Sequence, residues 1–153
     1  MASTATERRR RSRPAATIRL LLFAVRDTVY GCDIAAVREI VPTRPATRLP
    51  GAAPWVRGLV NLRGAIATAV DLAVRLGAGE AASDGSTILV ELDGKQVGLA
   101  VDEVRDVRIV EPDRFEAATE SMSRGGVVRG LGHLGDGVVI VLDVPALVRE
   151  VVG

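Results

Sequence analysis

The feature that most constrains the fold of this chain is an internal repeat, in which the second half echoes the first. The tetrapeptide Val-Arg-Gly-Leu at 56–59 recurs unchanged 72 positions later at 128–131. Further upstream, the block 31–40 is echoed at 98–107, with glycine, apolar, arginine and acidic residues in matching places at an offset of 67. Self-similarity of this kind indicates that one supersecondary unit is present twice. The chain is therefore predicted to contain two related units.

Two related subdomains are predicted at about 18–77 and 86–150, within one folded unit that spans 17–150. The glycine-, alanine- and serine-rich stretch 77–86 is the expected connector between them. The first sixteen residues hold five arginines and one glutamate, and we expect 1–16 to be a disordered Arg-rich tail. The other residues carry fifteen basic and eighteen acidic side chains, a net charge of −3, so the folded part is mildly acidic.

The pattern of apolar residues within each unit is typical of short strands. Turns are expected at Asp27-Thr28, Arg63-Gly64 and Asp93-Gly94, and an Asp-Gly pair between apolar runs is a strong hairpin signal. Strands are predicted at 18–25, 29–31, 37–41, 64–70, 87–92, 95–97 and 137–142. Near the C-terminus, the apolar residues have helical spacing, which predicts a short helix over Val144, Leu147, Val148 and Val151.

About five short strands per unit would leave exposed edges in a flat sheet, and closing each sheet into a small barrel removes them. We therefore predict a mainly β protein of two small barrels that pack together. No apolar run reaches the roughly 20 residues that a transmembrane helix needs. The apolar run 20–25 after the basic N-terminus is too short for a secretory signal. A cytoplasmic location is expected.

Residues that could carry out chemistry are sparse and do not form a recognisable site. The Gly-x-Gly-x-x-Gly pattern at 130–135 lacks the following helix that a dinucleotide site needs, so its glycines are expected at strand corners. His133 and Cys32 are the only residues of their types, too few for a zinc site. A solvated face is the interpretation for the acidic group Asp102, Glu103 and Asp106. We expect no catalytic residue, no metal and no cofactor.

Two other classes of function stay open. A nucleic-acid or anionic-surface binder would use the Arg-rich tail, and its binding would fall steeply with salt and disappear without residues 1–16. The acidic folded part and the 3% aromatic content argue against this class. An enzyme whose site is assembled from scattered residues would show a deep polar pocket with shifted pKa values.

The residues that form the repeat resemble the CheW family of chemotaxis coupling proteins over about 18–150. The matching segments of the first unit are 30–34 (Tyr-Gly-Cys-Asp-Ile), 37–41 (Val-Arg-Glu-Ile-Val), 49–58 (Leu-Pro-Gly-Ala-Ala-Pro-Trp-Val-Arg-Gly), 61–64 (Asn-Leu-Arg-Gly) and 70–72 (Val-Asp-Leu). Those of the second unit are 97–104 (Val-Gly-Leu-Ala-Val-Asp-Glu-Val) and 139–143 (Val-Ile-Val-Leu-Asp). Two features depart from the family pattern: Thr68 stands where a proline is usual, and the Arg-rich tail has no counterpart.

The resemblance implies two SH3-like five-stranded β-barrel subdomains and a non-catalytic adaptor. The adaptor is expected to bind the cytoplasmic tip of a methyl-accepting chemoreceptor and the regulatory domain of a CheA-type histidine kinase, in receptor arrays at the inner membrane. No small-molecule substrate or nucleic acid is expected. Contact with the membrane would be indirect, through the receptors.

Candidate binding residues follow from the resemblance and from the comparison of the two units. Val37, Glu39, Gly58 and Arg63 are expected at the receptor-binding surface. Arg63 stands where the second unit has Gly135, so the turn itself does not require an arginine. Glu39 and Arg63 could also pair with each other and only brace the first unit, and both alternatives stay open. Kinase contacts are expected from apolar residues at the barrel ends, with the candidates Ile40, Val41, Val107 and Ile109.

Overall fold

The computed structural model describes residues 16–82 and 84–152, so the tail predicted at 1–16 lies outside the described residues except for Ala16. The strands are β1 (Ile18–Val25), β2 (Thr28–Asp33), β3 (Val37–Pro42), β4 (Val56–Leu62), β5 (Ala65–Asp71), β6 (Ser86–Leu92), β7 (Lys95–Val101), β8 (Glu103–Val110), β9 (Phe115–Ala117), β10 (Val128–Leu134) and β11 (Gly137–Leu142). The α-helices of this part of the chain are α1 (Leu72–Arg75) and α2 (Val144–Val152). Short 3-10 helices lie at Ile34–Ala36, Pro112–Arg114 and Glu120–Met122.

The strands form two sheets with equivalent strand orders. Sheet A has six strands in the order β8-β1-β2-β11-β10-β9, and sheet B has five in the order β3-β6-β7-β5-β4. Each sheet contains one parallel pair, β2 with β11 in sheet A and β5 with β7 in sheet B. Two sheets of five to six short strands fit SH3-like subdomains, so the mainly β fold predicted from the sequence is confirmed.

Each sheet combines strands from both halves of the sequence. In sheet A, the hairpin β1–β2 of the first half joins β8, β10 and β11 of the second. In sheet B, the hairpin β6–β7 of the second half joins β3, β4 and β5 of the first. The halves have exchanged their first hairpins, as in a domain-swapped dimer fused into one chain. The subdomains expected at 18–77 and 86–150 therefore do not coincide with the sheets, because a repeat marks related units and not which strands pair.

The largest core lies between the two sheets and is shared by both. On β1, Leu21 and Phe23 enter this shared core, while Leu20 and Leu22 enter a separate cluster within sheet A. Burial of both faces explains why β1 is a continuous apolar run rather than an alternating one. Helix α2 adds its apolar face to the shared core. The corresponding cluster within sheet B consists of Val60, Leu62, Ala67, Ala69 and Leu89.

Left-handed backbone at the tight turns explains their sequences. The β6–β7 turn has φ of 52° at Asp93 and 79° at Gly94, and the β4–β5 turn has 52° at Arg63 and 83° at Gly64. Positive φ at both central residues is the requirement of the type I′ turn of a two-residue hairpin, so both predicted turns are confirmed. The β1–β2 turn is Arg26-Asp27, with φ of 54° at Arg26, which places it one residue earlier than predicted.

Matching aspartates begin the two helices. Asp71 Oδ1 accepts a hydrogen bond from the Val74 backbone N–H at 3.2 Å, and Asp143 Oδ1 accepts one from Ala146 at 3.0 Å. Each carboxylate thus caps a helix N-terminus and satisfies a donor that the helix leaves free. The predicted C-terminal helix is confirmed as α2. In the described ranges, neither helix has the length and apolar stretch needed to span a bilayer.

Candidate partner-binding surface

An ion pair between Glu39 and Arg63 joins the two edges of sheet B. Glu39 lies on edge strand β3, and Arg63 lies in the turn that follows β4, the strand at the opposite edge. The Arg63 Nη2 to Glu39 Oε1 distance is 2.8 Å. Val41 of β3 also packs against the cluster that holds Val60 of β4. Sheet B is therefore curled so that its edges meet, as closure into a small barrel requires.

The Arg63 side chain is on the surface even though it is paired. It is 80% exposed, whereas the Glu39 side chain is 27% exposed. An exposed ion pair typically contributes only about 0–1 kcal/mol to folding. The backbone of Arg63 is left-handed, which costs a residue other than glycine roughly 1–2 kcal/mol. The ion pair therefore adds little net stability at this turn, and the Arg63 guanidinium lies at the surface.

The structure brings only part of the expected receptor-binding set together. Val37 is half-buried at the start of β3, where the chain has a β-bulge before Glu39, and it packs against the shared core. Gly58 is buried, with φ of 134°, and a Cβ there would lie 1.9 Å from the Thr47 carbonyl oxygen. This glycine lets the 43–47 segment pair with β4, where the Thr47 and Leu59 backbones exchange hydrogen bonds of 2.8 Å. Gly58 thus shapes the strand and offers no side chain to a partner.

The four residues expected to contact the kinase divide into three that face solvent and one that faces inward. Ile40 on β3 and the pair Val107 and Ile109 on β8 are exposed. Val41 is half-buried against the sheet B cluster and is turned away from the surface. Since β3 is the edge of sheet B and β8 is the edge of sheet A, each sheet presents apolar side chains on an edge strand.

Three further exposed apolar residues were missed from the sequence, namely Leu49 and the pair Ile66 and Val138. Ile66 on β5 is 66% exposed and Val138 on β11 is 55% exposed. They are 72 positions apart and so occupy equivalent places in the repeat, just as Ile40 and Val107 do at the offset of 67. The repeat offset could have drawn attention to this second pair, because an apolar residue follows the tight turn at the same place in both copies.

Cys32 and His133, the single cysteine and the single histidine of the sequence, lie in different surroundings: Cys32 is buried and His133 is exposed. Burial, with a smaller contribution from the Asp33 carboxylate, raises the pKa of the Cys32 thiol to about 12, so it stays protonated at neutral pH. His133 Nε2 lies 4.0 Å from Glu116 Oε2, and both side chains are exposed. Within the described ranges, no group of three or more histidine, cysteine or acidic side chains could hold a metal ion.

The glycine pattern at 130–135 belongs to strand β10 and the turn after it, not to a phosphate-binding loop. A Cβ at Gly130 would lie 2.3 Å from the Glu116 carbonyl oxygen. The glycine therefore allows strand β9 to approach β10, with which it pairs from Phe115 to Ala117. Close backbone approach, and not a nucleotide, explains this residue.

The family comparison agrees with this geometry. The family model described as "CheW-like domain" matches residues 19–152. The chain is 31% identical over 134 residues to "Chemotaxis protein CheW" of Klebsiella aerogenes, covering 85% of this chain and 81% of that protein. It is 37% identical over 115 residues to "Chemotaxis protein CheW" of Rhizobium meliloti, covering 69% and 74%.

A solved structure shares the fold. The crystal structure of scaffolding protein TtCheW from Thermoanaerobacter tengcongensis superposes with a TM-score of 0.76 at 29% identity, over 82% of this chain and 88% of that chain. Sequence and structure therefore agree over nearly the whole described part. The chain belongs to the CheW family of chemotaxis coupling adaptors.

Proposed function

We propose that this adaptor joins the cytoplasmic tip of a methyl-accepting chemoreceptor to the regulatory domain of a CheA-type histidine kinase, without catalysing a reaction itself. The observation that carries the proposal is the outward-facing Arg63 at the β4–β5 turn, held by Glu39 beside the exposed apolar edge of β3. A charged anchor next to an apolar edge suits a surface that docks proteins rather than a pocket that binds a small molecule.

The receptor contact is assigned to Arg63 and Glu39. A guanidinium offers donors in a fixed fork, and its pairing with Glu39 at 2.8 Å orients it before a partner arrives. Pre-orientation reduces the side-chain entropy that binding would otherwise remove. Val37 and Gly58 act indirectly in this proposal, because Val37 packs under β3 and Gly58 sets the path of β4.

The kinase contact is assigned to the exposed apolar residues of the edge strands, Ile40 on sheet B and Val107 and Ile109 on sheet A. With one such edge on each sheet, a single adaptor has two places at which a kinase domain could dock. Contacts of this size typically give micromolar affinity, about −8 kcal/mol. Repetition in a receptor array would raise the effective strength and would recruit the adaptor to the inner membrane through the receptors.

The test is a calorimetric titration of the chain with the kinase regulatory domain, together with co-sedimentation with receptor-bearing membranes. We expect saturable binding to the kinase domain and retention by receptor membranes. Arg63→Asp should lose receptor retention and keep kinase binding. Arg149→Asp, which makes the same charge change at an exposed position on helix α2 and on neither edge strand, is the matched control and should keep both. Failure of the folded wild-type chain to bind either partner would refute the proposal.

A further inference from the structure

A cavity of about 430 Å³ lies beside the central strands of sheet A, and not on the edge strand β8. Its lining includes Tyr30 of β2, Leu131 of β10 and Ile140 of β11. Ser121 and Arg124, from the connection between β9 and β10, line it as well. The volume lies in the range of roughly 300–1,000 Å³ that is usual for small-molecule sites. The cavity is therefore large enough to hold a ligand.

One wall of the cavity is specific to the second unit of the repeat. The repeat offset grows from 67 in the upstream block to 72 in the downstream block, so the stretch between the blocks is five residues longer in the second unit. This longer stretch contains Ser121, Met122 and Arg124. Sheet B closes without an equivalent of these extra residues, so closure of a small barrel does not require them. They are free to serve a different purpose.

Tyr30 brings a buried hydroxyl to the cavity. The residue is 6% exposed, and its ring stacks on Phe23 in the shared core with 6.3 Å between the ring centroids. Among the residues that the structure describes, none forms a hydrogen bond with this hydroxyl. A tyrosine hydroxyl that is buried normally has a hydrogen-bond partner. The unpaired hydroxyl therefore marks a position where a ligand atom would be stabilised.

The hydroxyl acts as a donor next to a positive charge. Burial raises the pKa of the Tyr30 hydroxyl, and the charge of Arg124 opposes this rise by a smaller amount. The phenol is therefore protonated at neutral pH and can donate a hydrogen bond. Because the charge of Arg124 acts on the phenol oxygen, the two groups lie on the same side of the cavity. Together they favour an anionic acceptor.

Arg124 is held in position by its neighbours. Its carbonyl oxygen accepts a hydrogen bond from Arg75 Nη2 at 3.0 Å, and the Arg75 guanidinium is itself bound by Glu150 at 2.7 and 2.8 Å. Arg124 Nη1 donates to the Leu76 carbonyl oxygen at 3.4 Å, and in the described ranges Nε and Nη2 have no acceptor. A guanidinium whose position is fixed in this way loses less entropy when it binds a carboxylate.

We propose that this cavity binds a small carboxylic acid with an apolar body. The carboxylate accepts hydrogen bonds from the Tyr30 hydroxyl and the Arg124 guanidinium, and the apolar body packs on Leu131 and Ile140. This site is independent of the proposed receptor and kinase contacts, because those contacts use other residues.

The test is an NMR titration of the full chain with 4-phenylbutyrate as the probe. We expect saturable shifts of the backbone amides of Tyr30, Met122 and Leu131, with a dissociation constant of about 1 mM for a ligand of this size. The neutral amide of the same acid, 4-phenylbutanamide, should bind at least about tenfold more weakly, because it lacks the charge that Arg124 recognises. Equal binding of the acid and the amide would overturn the proposal, as would the absence of saturable shifts at these amides.

Three full-length variants assign the contacts. Arg124→Gln should weaken 4-phenylbutyrate binding at least about tenfold, and Tyr30→Phe about fivefold. The matched control is Arg114→Gln, which makes the same change at an exposed position outside the cavity and should bind like the wild type. Tyr30→Phe should not lower the thermal midpoint, because the hydroxyl has no partner among the described residues. Full affinity in Tyr30→Phe, or an equal loss in Arg114→Gln and Arg124→Gln, would contradict the site as described.

Discussion

Sheets A and B are both bridged by ion pairs, but the two pairs have opposite polarity. In sheet B the acid is on edge strand β3, at Glu39, and the arginine is in the turn after β4, at Arg63. In sheet A the arginine is on edge strand β8, at Arg108, and the acid is in the turn after β10, at Asp136, 3.3 Å away. Either polarity makes the bridge, so the fold does not specify which charge faces outward. Sheet B displays a cation that is 80% exposed and sheet A an anion that is 73% exposed.

The largest effect should come from the glycines that let neighbouring segments approach each sheet. Gly58→Ala places a Cβ 1.9 Å from a carbonyl oxygen at positive φ, and we expect a loss of about 3 kcal/mol or more in the free energy of unfolding. Gly130→Ala, with a 2.3 Å contact at ordinary φ, should lose about 2 kcal/mol. Gly135→Ala meets nothing within 4 Å and should stay within about 0.5 kcal/mol. Urea unfolding measures all three, and equal losses would contradict the ranking.

Exchanging the charges of the bridges separates bracing from recognition. The double variant Glu39→Arg/Arg63→Glu restores an ion pair, so unfolding should stay within about 1 kcal/mol of the wild type. If the outward cation binds the receptor, retention by receptor membranes should fall at least about tenfold, or about 1.4 kcal/mol. The matched swap in sheet A, Arg108→Asp/Asp136→Arg, should leave retention unchanged. Full retention in the sheet B swap would assign Arg63 to bracing alone.

Exposed apolar residues on the edge strands of both sheets should contribute to kinase binding. Ile40→Asp on β3 and Val107→Asp on β8 should each weaken binding of the regulatory domain by roughly tenfold, since each removes apolar contact area and adds a charge to be desolvated. Ile66→Asp, at an exposed position away from both edge strands, is the control. Calorimetric titration gives the affinities. A larger loss in Ile66→Asp would move the docking surface to β5.

The smallest expected change in stability concerns Asp136, the acidic partner of the ion pair in sheet A. Hydrogen bonding to Arg108, with help from a backbone hydrogen bond and the arginine's charge, lowers the pKa of Asp136 from 3.8. A lowered folded-state pKa means that the contribution to stability is present at neutral pH and is lost as pH falls through and below 3.8. The difference in urea midpoint between the wild type and Asp136→Asn should therefore shrink on acidification from pH 7. A difference that does not change with pH would rule out this linkage.

Much of the local structure could be read from the sequence, but the pairing of strands could not. The apolar run from Ile18 to Val25 and the Asp93-Gly94 turn are local signals, and both are found where they were predicted. Which strand lies beside β1 depends on contacts across the chain, such as Ile18 with Val110, and no local pattern encodes them. In the arrangement with exchanged hairpins, both faces of β1 are buried and the two sheets share one core.

The same limit applies to the candidate surface. Glu39 and Arg63 were proposed together, and the structure places them in contact. Their binding role stays a prediction. For Val41, residue type alone could not predict exposure, because an apolar side chain suits a docking edge and an interior equally well. Its burial follows from the closure of sheet B. Ile66 and Val138 show a signal that was present in the repeat but was not used.

The exchange of hairpins also sets the order in which the protein can fold while it is being synthesised. The β1–β2 hairpin leaves the ribosome first, yet its neighbours in sheet A are β8 and β11, which end at Val110 and Leu142. The face of β1 that carries Leu20 and Leu22 cannot be fully covered until Val139 and Val141 of β11 have emerged, and such long-range pairing folds slowly. A nascent chain of this kind exposes strand edges that favour aggregation, so its yield in a cell depends on what shields β1 during translation.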